Sequence, residues 1–442
     1  MPNLISTAQA EAARPVPTAP ALDPTPEEMA AYSPTGKRIV ICCDGTWNIA
    51  DQDRATNVVK FAMGVDVGVP AAGDPRLGDK DQRLLYLPGV GTGAFDKLLG
   101  GASGLGLSRH ILEGYRYLCG SYARGDEIYL VGFSRGAFTA RSLAGFIRSC
   151  GVIRPEHTDR IEQGFEMYRG SRARGASAAG RYHPGHPLST EATLFRRAYS
   201  FEDEVRVRFI GVWDTVGALG IPLAGRRWID LLNRPWQFHD TDLSRKVDRA
   251  HHAVAIDEDR RSFLPTMWNQ QPGAPSFQVL EQVWFTGVHC DVGGGNRNAG
   301  LSDVPLWWMV DRACRAGLRF KAGYFRPGED TPAFCGPDGE SAEAMRRCGE
   351  WTAPDPAGAF SSSRRGLFRL FPPVRRSVGL EPRGRKPASN QSVASCAYAR
   401  VTAEAEGARP AWLRAARDAG VPETAIALGA DGPLAVSAAA TA

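Results

Sequence analysis

The chain has 442 residues, 43% of them hydrophobic and 9% aromatic, which is enough apolar side chain for a sizeable core and excludes disorder throughout. No run of about 18 apolar residues occurs, so a transmembrane helix is excluded as well. With 53 basic and 48 acidic residues the net charge is +5, too mild to mark a nucleic-acid partner; the nine cysteines, odd in number and without a CxxC, fit a reducing compartment rather than a disulfide scaffold.

Residues 1–36 are rich in Ala and Pro and lack the basic and apolar regions of a secretory signal, which predicts a disordered leader on a chain that is cytoplasmic at synthesis. Order is predicted from Lys37. Arg38–Cys43 (RIVICC) is a short β-branched run closed by Asp44-Gly45-Thr46 and reads as a buried strand. A second strand is predicted at Arg83–Leu87. After a Gly-rich stretch, Ser108 is placed as the cap of a helix whose Ile111, Leu112, Tyr115, Leu118 and Tyr122 fall at helical spacing. Asp126–Val131 is the next strand, and AFTARSLAGFIRSC after it is helical. Residues 155–200 read as an insertion around a polar, Gly-rich loop. Val205–Trp213 is a strand, Ser244–Ile256 a helix and Phe277–Val288 a strand, followed by a helix at PLWWMVDRACRAG. Strands alternating with helices predict an α/β fold: a mostly parallel central sheet flanked by helices, over 37–320. Residues 321–442 are Gly-, Pro- and Arg-rich and read as an irregular C-terminal region with one short helix (PAWLRAARDAG) and an Ala-rich tail.

Gly132–Gly136 (GFSRG) fits G-x-S-x-G. A serine at a sharp strand-to-helix turn projects its hydroxyl beyond the sheet, and the glycines let the two elements pack closely. Five residues with three fixed recur by chance, but here an apolar strand precedes the motif and a helical pattern follows it. The plainer alternative is a serine that only caps the helix. A nucleophilic serine needs a base, and the base an orienting acid, in the chain order Ser, Asp or Glu, His. Asp214 directly follows one predicted strand and His289 another. Both thus lie at carboxyl ends of strands, where ligands bind in open α/β sheets. His183 and His186 fall in the polar loop, His157 opens the insertion, His110 opens a helix, His239 lies in a turn, and His251 and His252 lie in the predicted helix. Asp44 precedes the serine and Asp291 is two residues from His289, so both read as anchors of pocket loops. The oxyanion hole would take the N–H of Arg135 and, from the loop after the first strand, that of Thr46, with Gly45 as the alternative and an ordinary Asp-Gly turn as the plain reading.

The runs ICCDGTWN, TNVVKF, PGVGTG, GLSRHI, GFSRGAFTARSLAG, GVWDTVGALGIP, FHDTDLS, HHAVAIDEDR, EQVWFTGVHCDVGGG and GLSDVPLWWM occur in order between Arg38 and Gly317. In them the chain resembles a bacterial and fungal family of α/β hydrolases, formerly of unknown function, that includes phospholipase effectors delivered by type VI secretion. The resemblance implies a triad at Ser134, Asp214 and His289, and a serine esterase or lipase acting on acyl esters, phospholipids among them. It also implies contact with a membrane surface, export by type VI secretion, and a secretion-machinery or immunity partner. The chain departs from its relatives at Asn390-Gln391-Ser392-Val393, where many have a histidine before the Ser-Val pair, and in its short C-terminal region.

Other signals are weaker. GVGTGAFDK lacks the Lys-Ser/Thr of a phosphate loop. The segment RRGLFRLFPPVRRSVGLEPRGRK interleaves Arg with Leu and Phe and reads as a solvated basic loop, with docking on anionic lipid as the alternative. No metal-ligand spacing occurs, and neither a metal nor a cofactor is expected. Two other functions compete: a thioesterase or small-ester hydrolase without a toxin role, and a non-catalytic binding module on the same fold.

Overall fold

The computed structural model describes residues 36–45, 55–69, 80–89, 104–173, 182–202, 205–217, 241–296, 298–321, 324–325, 352–361, 363, 371–381, 386–403, 410–426 and 428. Thr46, His239, the leader, the polar centre of the insertion and the Ala-rich tail lie outside them. In chain order the elements are β1 (Arg38–Cys43), α1 (Asn57–Gly64), β2 (Gln82–Leu87), α2 (Gly104–Ser121), β3 (Glu127–Phe133), α3 (Arg135–Cys150), α4 (Ile161–Ala173), α5 (Thr190–Tyr199), β4 (Val207–Trp213) and β5 (Asp242–Leu243). They continue with β6 (Val247–Ala255), β7 (Asn269–Gln270), β8 (Val279–Phe285), α6 (His289–Gly293), α7 (Gly300–Arg315), β9 (Gln391–Ala394), α8 (Ser395–Ala403), α9 (Ala411–Ala419) and β10 (Glu423–Thr424).

Eight strands form one sheet in the order β10-β9-β8-β6-β4-β3-β1-β2, and every pairing in it is parallel. β5 and β7 make a separate two-stranded ribbon. The alternation of side chains along β1 shows why both faces need cover: Ile39, Ile41 and Cys43 enter one apolar cluster and Val40 and Cys42 the other. The first cluster is closed by α2, α3, α4 and Phe195 of α5; the second by α1, α7, α8 and α9. Each fully buried Val or Ile in these layers contributes about 2 kcal/mol. From β1 the chain moves outward to β2 and then returns past β1 to β3, so strand order reverses between β1 and β3. That reversal opens the crevice at the carboxyl ends in which such sheets bind ligands.

Three expectations are corrected. Ser244–Ile256 is not a helix: its core is β6, which pairs with β4 and β8, and all nine of its residues are buried. Asp248, Arg249, His251 and His252 broke the apolar run that a central strand should show. They are tolerated because several have fixed partners: Arg206 on Asp248, Glu281 on His251, and the Thr215 N–H on His252. Second, Ser108 lies inside α2, which begins at Gly104, and is not its cap. Third, the sheet does not stop near residue 320. β9 and β10, read as irregular, extend it beyond β8, with Gln391 Oε1 accepting a 2.9 Å hydrogen bond from Trp284 Nε1. Strands of four and two residues are too short to show a periodicity.

Candidate active site

β3 runs straight into the G-x-S-x-G turn and α3 starts at Arg135. Ser134 stands between them at φ 57°, ψ −119°, a strained conformation for a residue with a side chain, and makes no side-chain cap to α3. The plain capping alternative is therefore set aside. The glycines are demanded by close approach: a Cβ at Gly132 would lie 2.5 Å from Gly136 O, and one at Gly136 would lie 2.1 Å from Cys43 O at the end of β1. Backbone hydrogen bonds tie the turn to the next strands, Ser134 N–H to Trp213 O at 3.0 Å and Asp214 N–H to Ala253 O at 2.7 Å.

Asp214 follows β4 at φ 36° and is wholly buried. His289 opens α6, just after β8. The structure brings these residues together. His289 Nδ1 lies 2.6 Å from Asp214 Oδ2, and His289 Nε2 lies 2.9 Å from Ser134 Oγ. With Nδ1–H donating to the carboxylate, Nε2 is left to accept from the serine hydroxyl. The imidazole is held between two rings, Phe133 at 4.6 Å and Phe263 at 4.9 Å, the latter edge-on. Its backbone N–H donates to Glu258 Oε2 at 3.3 Å, and Glu258 in turn accepts from Arg260 N, Nε and Nη2. Burial opposes the charge on Glu258, but Arg260 outweighs it and holds the carboxyl below its usual range.

Two anchors frame the site. Asp44, at the end of β1, accepts from Gly45 N–H (2.6 Å), Thr56 Oγ1 (2.7 Å) and Tyr86 OH (2.8 Å). Asp291 accepts from Val288 N–H, Asn296 Nδ2 and Ser361 N–H, joining the turn before His289 to a segment 70 residues on. Neither carboxylate touches His289 through a described hydrogen bond, so they do not compete with Asp214. The Gly45 N–H already has an acceptor in Asp44, which removes Gly45 from the oxyanion pair. Arg135 is the first residue of α3, where an N–H has no acceptor within the helix; Thr46 is outside the described residues.

Sequence reasoning missed Glu258, Phe263 and, most consequentially, Arg376. Arg376 Nη1 donates to Asp214 Oδ1 at 2.6 Å, and Nη2 to Oδ2 at 3.1 Å. Nη1 also donates to Ala255 O at 2.7 Å, and Nη2 to Phe263 O. The side chain is 1% exposed. Burial would raise the Asp214 carboxyl, but Arg376 and then His289 reverse this and hold it far below the usual carboxylate range. Arg376 was hidden in an Arg-rich stretch without periodicity, and nothing in the sequence sets it apart from its neighbour Arg375, which is exposed. Its burial corrects the solvated-loop reading for this residue. Among the described residues no group of His, Cys, Asp and Glu is arranged to hold a metal ion, and no helix is long and apolar enough to cross a membrane.

A hydroxyl, an imidazole and an ionised carboxylate joined in this way can move one proton from the hydroxyl to the imidazole as the oxygen attacks an acyl carbon. Comparison with known proteins narrows the chemistry. Residues 37–312 match the family model described as the catalytic domain of Tle1-like phospholipase effectors of the type VI secretion system. An uncharacterized protein of Saccharomyces cerevisiae is 28% identical over 265 residues, which is 57% of this chain and 35% of that protein. A crystal structure of an uncharacterized protein from Pseudomonas aeruginosa is 20% identical, with a TM-score of 0.35, over 65% of this chain and 47% of the other. The structure of the Tle1 effector bound to the VgrG spike of the type VI secretion system is 18% identical, with a TM-score of 0.32, over 59% of this chain and 52% of the other. The chain therefore spans about a third of the yeast relative and about half of each solved chain.

Proposed function

Since the chain belongs to the family of Tle1-like phospholipase effector catalytic domains, we propose that it is a serine hydrolase that cleaves carboxylic esters, phospholipid acyl esters foremost, through an acyl-enzyme. The observation that carries this reading is the imidazole of His289 set between Ser134 Oγ at 2.9 Å and Asp214 Oδ2 at 2.6 Å. Ser134 Oγ attacks the ester carbonyl and its proton passes to His289 Nε2. The tetrahedral oxyanion lies against the N–H groups of Arg135 and Thr46. On collapse the acyl C–O bond breaks, and the leaving alkoxide takes the proton from His289. Water then repeats the sequence, giving up its proton to His289 and releasing the acid and free Ser134. Asp214 keeps Nδ1 protonated and offsets the charge of the imidazolium. No cofactor is required by these steps.

Delivery by type VI secretion, contact with a membrane surface and an immunity partner belong to the same proposal and rest on the family description. The test compares wild type with Ser134→Ala on phospholipid vesicles and on short and long acyl esters, with products read by mass spectrometry and Ser134 labelled by a fluorophosphonate. Fatty acid released by wild type and not by Ser134→Ala supports the full reading. Ser134-dependent cleavage of short esters or thioesters alone removes the phospholipid. A wild-type protein that neither labels nor turns over any ester is a binding module, and the proposal falls.

A further inference from the structure

We infer that Arg376 is a positioning residue of the active site, a clamp from the C-terminal segment that fixes the Asp214 carboxylate and sets how readily His289 takes up a proton. The inference rests on the serine-hydrolase reading above and concerns a residue beyond the family-matched region, 37–312.

The geometry goes beyond charge neutralisation. The two terminal nitrogens carry four N–H bonds, and four acceptors meet them: Asp214 Oδ1, Asp214 Oδ2, Ala255 O and Phe263 O. A planar fork engaged on both sides has one orientation. Ala255 ends β6 and also donates its N–H to Asp214 Oδ1 at 3.1 Å, and the ring of Phe263 packs against His289. One guanidinium thus ties together the acid, the strand end beside it and a wall of the imidazole. The segment that carries it is itself fixed. Val374 N–H donates to Asp259 O at 2.8 Å, and Val378 and Leu380 enter the same core cluster as residues of α7. Arg376 is buried while Arg375 beside it points to solvent, as an extended strap requires.

The electrostatic consequence has a definite sign. The groups facing the imidazole are Ser134 from the elbow, Asp214 and its clamp Arg376, and Glu258 backed by Arg260. On its own helix the neighbours are Cys290 and Asp291; Asp257 holds the Gly287 N–H of the preceding turn, and His252 faces Asp214 from β6. Arg376 is a permanent cation two bonds of the network away from Nδ1. It shares the Asp214 charge with the imidazolium that forms as Ser134 attacks. Without it the imidazolium becomes the main counter-ion of a buried carboxylate, and His289 is protonated, and inactive as a base, at higher pH. Lysine at 376 keeps the charge but cannot meet four acceptors in one plane, so it keeps the pH dependence and loses the orientation.

The experiment measures kcat/KM against pH on a soluble ester for the full chain and for Arg376→Gln and Arg376→Lys. It also follows the low-field Nδ1–H proton resonance of His289 through the same pH range, which reads imidazole protonation without turnover. The expected result is an acid limb moved up by about one pH unit in Arg376→Gln, in activity and in resonance alike. Arg376→Lys should keep the wild-type limb and lose about tenfold in kcat. An Arg376→Gln limb that coincides with wild type, or an Arg376→Lys limb that moves as far as that of Arg376→Gln, overturns the inference and leaves Arg376 a structural tie. If Arg376→Gln does not fold, the Lys variant decides alone, because an upward shift there contradicts the charge argument and an unmoved limb with lower kcat meets it. Absence of Ser134 labelling in wild type is a separate failure, that of the hydrolase reading, and takes the clamp with it.

Discussion

Two carboxylate–histidine–arginine clusters are built into one sheet. At the carboxyl ends of the strands are Asp214, His289 and Arg376; in mid-sheet His251 of β6 and Glu281 of β8 meet Arg312 of α7. The second cluster has a 3.0 Å contact from His251 Nδ1 to Glu281 Oε2 and a 2.8 Å hydrogen bond from Arg312 Nε to the same oxygen. In donor and acceptor types the two are nearly the same. They differ in what the other imidazole nitrogen meets. His289 Nε2 meets Ser134 Oγ at the crevice, whereas His251 Nε2 is buried with no hydrogen-bond partner among the described residues and packed near Phe209 and Trp308. A histidine oriented by a carboxylate is thus a structural device as readily as a chemical one. Position on the strand decides which: a residue just past the strand end reaches the crevice, and one in mid-strand is paired on both sides.

The sharpest way to break this comparison is to disable each cluster and read turnover. Ser134→Ala and Asp214→Asn are each expected to lower kcat on an ester by about 10⁴-fold, with the unfolding transition little changed for Ser134→Ala. Glu281→Gln should leave turnover per folded molecule within about twofold of wild type, because nothing in that cluster touches the crevice. Steady-state kinetics, normalised to the amount of folded protein from the amplitude of the unfolding transition, makes both measurements. A comparable loss from Glu281→Gln would join the two clusters into one functional unit.

This contrast also marks what the sequence could disclose. Ser134 was legible because GFSRG lies between an apolar strand and a helical pattern, and Asp214 and His289 because each ends a long run of Val, Ile, Phe and Trp. Asp44 and Asp291 were legible as anchors from position alone. β6 was not, since strand signals are apolar signals and this strand carries polar side chains paired with Arg206, just before β4, and with Glu281 of β8. Such pairing is invisible until the partners are placed in space. The same holds for Arg376, whose acceptors are 162, 121 and 113 residues away in sequence. β9 and β10 were illegible for want of length, their pairing being imposed by the open edge of β8.

The mid-sheet cluster should then show itself in stability. Breaking a buried pair strands the remaining charge, so Glu281→Gln is expected to destabilise the fold by about 3 kcal/mol at pH 7 in urea denaturation. Burial opposes the Glu281 charge, but Arg312 and then His251 prevail and depress the carboxyl to about 2. A folded-state value below the unfolded one, about 4.3, means the stabilisation is complete above that unfolded value and is lost as pH falls toward 2. The gap between wild type and Glu281→Gln should therefore be widest at pH 7 and shrink at pH 3.5. A gap that stays constant over that range would show that the charge on Glu281 contributes nothing.

His251 gives the smallest effect and a separate pH window. Burial is the largest influence on its imidazole and lowers its proton affinity below the usual value; Glu281 opposes this, and Arg312, which already neutralises Glu281, adds to it. The folded chain therefore takes up a proton at His251 less readily than the unfolded chain, whose imidazole protonates below about pH 6.5. More protons bound on unfolding means that stability falls with falling pH through this window, above the range in which Glu281 titrates. Replacing the ring with His251→Gln loses its packing on Phe209 and the hydrogen bond to Glu281, at about 1–2 kcal/mol near pH 7.5, but it also removes the group that must charge. The variant should thus lose less ground to wild type at pH 5 than at pH 7.5. A deficit that instead grows on acidification would mean that His251 is protonated in the folded sheet, and the mid-sheet cluster would then carry an imidazolium held by Glu281 instead of a neutral ring packed between Phe209 and Trp308.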